Sequence, residues 1–207
     1  MAKETLEEID LGTDPQKLRT ISISSKLSEE EKAELILLLK EFRDVFAWDY
    51  SEMPGLDPRL VVHMLNVDLG AKLMAQPTRV FHTKMEEQII NEVHKLLVGG
   101  FIKPIQHPWW LFNIVPTKKK NGQIQCCINC RNLNKVCSKD EFLLPNMDLL
   151  IDFAARNAMF SFMDGFSGYN QIRMAPKDGE KVAFRTPIKN FYYMVMLFGL
   201  KNAGATY

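Results

Sequence analysis

An α+β fold built on an antiparallel sheet is the architecture this sequence predicts, and three observations predict it. Segments 28–46 and 83–98 repeat apolar residues every three or four positions behind a capping-box pair, the pattern of amphipathic helices. Asn121-Gly122 lies between two apolar runs, as the two-residue turn of a β-hairpin does. Short β-branched and aromatic runs at 171–174, 181–186 and 191–196 are separated by Pro176-Lys177-Asp178-Gly179 and Pro187-Ile188-Lys189-Asn190, which read as turns.

Composition sets the frame for these elements. A chain of 207 residues, 46% hydrophobic and 25% charged, can bury a core and suggests one domain or two. No apolar run reaches the roughly 18 residues that a membrane span needs. The start, Met1-Ala2-Lys3-Glu4-Thr5-Leu6-Glu7-Glu8, lacks the apolar centre of a signal peptide, so an intracellular protein without membrane partners is expected. The net charge of +1 conceals an asymmetry: residues 1–60 carry 8 basic and 14 acidic side chains, and 61–207 carry 18 and 11. A moderately basic second part is compatible with a phosphate-bearing partner. All four cysteines fall between Cys126 and Cys137, and Cys127-x-x-Cys130 is half of a zinc spacing with no second close Cys or His pair, which favours buried or free thiols.

In chain order, 1–27 is polar and aperiodic, holds Gly12 and Pro15, and reads as an arm or linker. Ser28 and Glu31 cap the first helix, whose Leu35, Leu38, Leu39, Phe42, Val45 and Phe46 make a stripe expected to pack within its own fold. From 47 to 77 the chain is irregular, with turns at Pro54-Gly55 and Asp57-Pro58 and a possible strand over 60–67, where the solitary His63 reads as structural. Thr83 and Glu86 open the second helix, Met85, Ile89, Val93, Leu96 and Leu97 share its face, and Gly99-Gly100 end it. Trp109 and Trp110 are expected in a neighbouring core. Strands over 112–118 and 123–130 flank a hairpin tip bearing Lys118, Lys119 and Lys120, placed equally well for solvation or for gripping phosphates. A helix is expected from 147 to 155 after Pro145, and 198–207 reads as a loop entering another helix.

The chemistry centres on 160–172. Phe160, Phe162 and Met163 form an apolar run that ends at Asp164, and Gly165 and Gly168 then break it, so the stretch reads as a buried strand delivering a carboxylate to a turn. Such an acid suits a metal, although an Asp ending a strand also serves as an ordinary cap.

Asp44-Val45-Phe46-Ala47-Trp48, Met53-Pro54-Gly55-Leu56-Asp57-Pro58, Gly100-Phe101-Ile102, Lys119-Lys120-Asn121-Gly122, Arg131-Asn132-Leu133-Asn134, 160–172 and 198–207 form an ordered set. In that order they closely resemble the reverse transcriptase of gypsy-class long-terminal-repeat retrotransposons. The resemblance covers nearly everything from about residue 28 onward. It implies an incomplete right-hand polymerase: a polar arm over 1–27, a helical connection over 28–77, and the fingers and first part of the palm over 78–207.

The implied reaction is templated DNA synthesis from deoxynucleoside triphosphates on an RNA or DNA primer-template. Two Mg²⁺ ions roughly 3.5–4 Å apart drive the in-line displacement in such enzymes, and Asp164 matches the family's first catalytic and metal-binding Asp. By the same resemblance Gly165 and Gly168 lie along the triphosphate, Tyr169 sits beneath the sugar where it would exclude a ribose 2′-hydroxyl, Lys119 and Lys120 close over the phosphates, and Phe198 and Gly199 flank nucleotide and template. The sequence also departs from the family. Gln125 stands where an Arg usually holds the triphosphate, and a neutral amide cannot supply charged, bidentate recognition. Asn129, Cys130, Asn132 and Leu197 replace usual residues as well, and the Tyr-x-Asp-Asp box with the remaining two carboxylates is absent from the sequence. A truncated fragment, inactive alone, is therefore expected, with a weakly nucleic-acid-binding remnant as the alternative.

Overall fold

The computed structural model describes residues 5–14, 17–68, 70–118, 122, 124–139, 141–142 and 145–207. The chain gathers into two units, Met1–Met53 and Pro54–Tyr207, a division that differs from the expected boundaries after residues 27 and 77.

In the first unit, β1 (Leu6–Asp10) and β2 (Thr20–Ser24) pair antiparallel, with Ile9 opposite Ile21. The expected aperiodic arm is thus a hairpin here. Its sequence signal is Thr20-Ile21-Ser22-Ile23-Ser24, an apolar–polar alternation of period two. The Asp10 carboxylate closes the connection by accepting the backbone N–H groups of Gly12 and Arg19, both at 2.8 Å, and these bonds hold its pKa below the usual value. Helix α1 (Glu29–Glu41) starts at the predicted capping box: Glu31 N–H donates to Ser28 Oγ, and Ser28 N–H donates to the Glu31 carboxylate. Its apolar stripe departs from expectation, because no residue of α1 is buried and Leu38, Phe42 and Val45 are exposed. So short a unit has little interior in which to bury a stripe. Glu52 joins the ends of the unit by accepting from Lys17 Nζ at 2.8 Å, Arg19 at 2.5 Å and Trp48 N–H at 3.0 Å, while the Arg19 guanidinium lies 5.2 Å from the Trp48 ring centroid.

The second unit is built on a five-stranded sheet. Its elements are β3 (Val62–His63), α2 (Thr83–Val98), β4 (Ile102–Pro104), β5 (Phe112–Lys118), β6 (Ile124–Ile128), α3 (Arg131–Val136), α4 (Met147–Ala154), β7 (Arg173–Met174), α5 (Pro176–Gly179), β8 (Ala183–Arg185) and β9 (Asn190–Tyr193). The order across the sheet is β4-β9-β8-β5-β6. Every pair is antiparallel except β5 with β8, where Phe112 faces Phe184. Pro104, which has no N–H to give, lies on the edge strand β4, and β5 stops pairing with β8 at Asn113, before Pro116. Phe112, Ile114, Phe184, Phe191 and Tyr193 fill the core, and the Phe184 ring lies 6.2 Å from Phe191 and 5.3 Å from Tyr193. Helix α2 packs on β6 and β4, burying Ile89, Val93 and Leu96.

Several local expectations change. The cap of α2 is His82 without a side-chain bond, Thr83 being already inside the helix, and Leu97 is partly exposed. Gly100, at φ +71°, ends the helix as predicted. Trp110 is buried against Phe112, whereas Trp109 is 71% exposed. The turn at 176–179 is a short helix, and 198–207 holds successive turns without a helix. His63 is structural, as expected: it is fully buried, its ring Nδ1 lies 2.8 Å from Thr206 Oγ1, and its backbone O accepts from Ala175 N–H. Asp178, also buried, accepts from Leu65 N–H at 3.0 Å and pairs with Lys181 at 2.7 Å.

Two pH dependences follow from these contacts. The Lys17 hydrogen bond, then the Trp48 N–H, holds Glu52 at about 2 against an ordinary 4.5. Because the folded value lies below the unfolded one, this support is complete above pH 4.5 and is lost as pH falls toward 2. Hydrogen exchange, corrected for intrinsic rates, is expected to show the 6–24 hairpin losing protection across that window in the native chain and far less in Glu52→Gln. Burial likewise holds His63 below its ordinary 6.5, outweighing the opposing pull of Asp178. The unfolded chain then binds the proton more readily, so stability present above pH 6.5 is lost as pH falls through the folded value. Urea melts of the native chain should show that decline, and His63→Gln should flatten it.

Candidate functional site

The Gly165–Gly168 turn organises the site. Gly168 N–H donates to Gly165 O at 2.9 Å, and Ser167 takes a left-handed conformation at φ +47°. A 3₁₀ turn, Gly168–Gln171, carries Tyr169 out of the loop. The turn is braced from behind: Leu56 N–H donates to Gln171 O at 2.8 Å, and a Cβ on Gly55, itself at φ +71°, would stand 3.2 Å from that oxygen. The Pro54-Gly55-Leu56 sequence therefore has a mechanical reason to accompany 160–172.

A second loop, 198–207, closes over this turn. Tyr169 stacks obliquely on Phe198 at 4.5 Å between centroids and meets Tyr207 edge-on at 4.9 Å. Gly199, at φ +95°, makes the bend that presents Phe198. Asn134 of α3 clamps it from both sides, donating to Gly199 O at 2.6 Å and accepting from Lys201 N–H at 2.9 Å. Lys201 Nζ reaches Cys137 O at 3.2 Å. Of the predicted residues, Gly165, Gly168, Tyr169, Phe198 and Gly199 thus come together around one aromatic cluster. Lys119 and Lys120 lie outside the described residues. The strands that flank them do pair antiparallel, but with Lys118 opposite Ile124 their register leaves an odd number of residues between the partners, which the two-residue turn expected at Asn121-Gly122 does not fit.

Asp164 heads the turn but does not sit as expected. Residues 160–164 form no strand and are exposed, Phe162 at 93% and Met163 at 78%. A strand requires a hydrogen-bonded neighbour, and none of the described strand pairs includes this stretch. Phe160 and Phe162 instead stack on each other at 6.3 Å. The Asp164 carboxylate is open to solvent, and none of the described ion pairs uses it.

Asn134 and Tyr207 are site residues that sequence reasoning left without roles, although both lie in motifs it singled out. A polar residue after Arg131-Asn132-Leu133 and an aromatic closing 198–207 were the available signals. Gln125 is half-buried on β6 opposite Thr117. Burial pushes the Cys126 and Cys130 thiols up to about 12 and raises Cys137, so these three stay protonated.

This arrangement belongs to a known class of fold. The prototype foamy virus protease-reverse transcriptase superposes with a TM-score of 0.68 at 17% identity, over 86% of this chain and 24% of that one, and a foamy viral protease-reverse transcriptase in complex with double-stranded DNA superposes with a TM-score of 0.68 at 18% identity, over 87% of this chain and 37% of that one. The fold is that of a reverse transcriptase. No protein-family profile matches the chain. The retrovirus-related Pol polyprotein from transposon 297 of Drosophila melanogaster is 28% identical over 186 residues, 87% of this chain and 17% of the polyprotein. An RNA-directed DNA polymerase homolog of Oenothera berteroana is 39% identical over 84 residues, 41% of this chain and 59% of that protein. The chain is a homologue of the Pol polyproteins of gypsy-class and other long-terminal-repeat retrotransposons, a reverse-transcriptase-derived segment spanning about a sixth of the first of these relatives.

One substitution probes the closure of the two loops. A Cβ on Gly168 would lie 2.5 Å from the Tyr207 hydroxyl oxygen, the far end of an exposed side chain that can swing away. Gly168→Ala should therefore leave the melting temperature within a few degrees while displacing the Tyr207 ring from Tyr169. Loss of the ring-to-ring nuclear Overhauser contacts would report that movement, and retained contacts would contradict it.

Proposed function

We propose that this chain is the nucleotide- and template-facing part of a reverse transcriptase, made of the fingers and the first part of the palm. The observation that carries the reading is the closure of Phe198 and Tyr207 on Tyr169 directly after the Gly165–Gly168 turn, with the open carboxylate of Asp164 at its head. In this reading backbone groups of Gly165 and Gly168 line the triphosphate path, Tyr169 lies under the deoxyribose, and Phe198 and Gly199 border the nucleotide and template. Lys119 and Lys120 extend the cationic hairpin of Lys118 over the phosphates. The ligands are a deoxynucleoside triphosphate and an RNA or DNA primer-template, supported by the basic balance of 61–207.

The residues present do not fit a two-Mg²⁺ centre. Two hard cations held about 3.5–4 Å apart need several carboxylates, and the described residues contain no group of three His, Cys, Asp or Glu able to hold an ion. Asp164 is the only acid in 160–172. It would serve as one ligand of a centre whose other carboxylates the described residues do not supply, and no chemical step is assigned to the chain alone. Gln125 favours a second reading, a non-catalytic segment that still binds nucleic acid weakly, because it places a neutral amide on the hairpin strand where phosphate recognition needs charge.

A single titration series tests both readings. Primer-template binding is expected at low salt, with affinity falling as salt rises and a shallower salt slope when Lys118, Lys119 and Lys120 are all changed to Ala. Primer extension with Mg²⁺ is expected to give no product. Absence of low-salt binding would overturn the nucleic-acid role, and extension by the chain alone would overturn its catalytic incompleteness.

A further inference from the structure

We infer that His63 is a positioning residue for the aromatic wall of the site, acting through Thr206 to seat Tyr207 against Tyr169. The inference rests on the nucleotide-facing reading given above and adds to it a buried residue that touches neither nucleotide nor metal.

The path runs through three contacts. His63 is fully buried on β3, and its Nδ1 lies 2.8 Å from Thr206 Oγ1. Thr206 is followed by Tyr207, whose ring stands edge-on to Tyr169 at 4.9 Å. The Tyr207 hydroxyl oxygen reaches into the glycine turn, occupying space that a Cβ on Gly165 or Gly168 would need. Tyr169 is held in this way between Phe198 on one side and Tyr207 on the other.

The anchor beneath that path is rigid. Asn202, on the same loop as Thr206, donates to Met64 O at 2.9 Å and Leu65 O at 3.4 Å, so residues 63–65 grip the loop at two points. Leu65 N–H is fixed in turn by Asp178, which is paired with Lys181, and His63 O by Ala175 N–H. Among the described residues, His63 Nε2 and Asn202 Oδ1 are the buried side-chain polar atoms without a hydrogen bond. They are complementary: the Asn202 side chain favours a proton on the imidazole, as an amide oxygen near Nε2–H would. The tautomer with hydrogen on Nε2 leaves Nδ1 to accept the Thr206 hydroxyl. A histidine that merely filled space would not need the Thr206 hydroxyl.

Holding Tyr169 between two rings fixes how much room lies under the sugar. With Tyr207 unseated, Tyr169 can turn aside and the site loses its discrimination against a ribose 2′-hydroxyl. The test uses the full chain with Thr206→Val, which removes the hydroxyl at nearly constant shape, and Thr206→Ser, which keeps it. In the native chain and in Thr206→Ser, nuclear Overhauser cross-peaks between the Tyr169 and Tyr207 rings are expected. In Thr206→Val they should be lost while the β8–β9 amide shifts stay in place. Cross-peaks that persist in Thr206→Val, or vanish equally in Thr206→Ser, overturn the inference. In parallel, titration with dATP and ATP should show the preference for dATP falling severalfold in Thr206→Val only, and an unchanged preference also overturns it. If the native chain binds neither nucleotide, the nucleotide-facing reading fails, and the cross-peaks alone decide whether His63 and Thr206 seat Tyr207.

Discussion

The pairing of Phe112 with Phe184 is the join on which the second unit depends. It is the parallel contact in an otherwise antiparallel sheet, and it inserts the β8–β9 hairpin between β4 and β5. Both phenylalanines are essentially inaccessible to solvent, so each removes a large apolar surface from water while fixing the register of its strand. With β8 seated, β9 meets β4, and Met194 and Met196 bond to the backbone of Met174 and Ile172 just beyond the glycine turn. The core register therefore also sets the approach of the two loops that build the site.

What the sequence made legible divides along a physical line. Elements that satisfy their own requirements locally were readable: α2 with its buried face and Gly100 stop, the pairing of β5 with β6 though not the register of their turn, and the capping box of α1. Elements that depend on a partner were not. The alternation of 20–24 is a strand because 6–10 lies alongside it, whereas the apolar run of 160–164 is not one, because no described strand lies beside it. The stripe on α1 has the right period and nothing to bury it. Thr83 and Glu86 have capping-box spacing, yet the chain enters α2 one residue earlier, at His82.

The site divides in the same way. Gly165, Gly168, Tyr169, Phe198 and Gly199, singled out on the motifs they lie in, come together in space around the Tyr169 ring. Asn134 reaches Gly199 across 65 positions of chain, His63 reaches Thr206 across 143 and Asn202 reaches Met64 across 138, and such pairings leave no periodic trace. Asp164 shows the difference between a residue that stands out in a sequence and a complete site: it heads the glycine turn, and among the described residues no group of three ligating side chains gathers beside it.

The interleaved strand order also bears on how the chain acquires its structure during synthesis. β5 emerges about seventy residues before its neighbour β8, so the Phe112 face waits uncovered while α3, α4 and the glycine turn are made. Closing so long a loop costs entropy before any of the central contacts repay it. The nascent segment thus lacks the β8 cover of Phe112 until residues 183–185 have been made, an interval in which that surface is open to other chains.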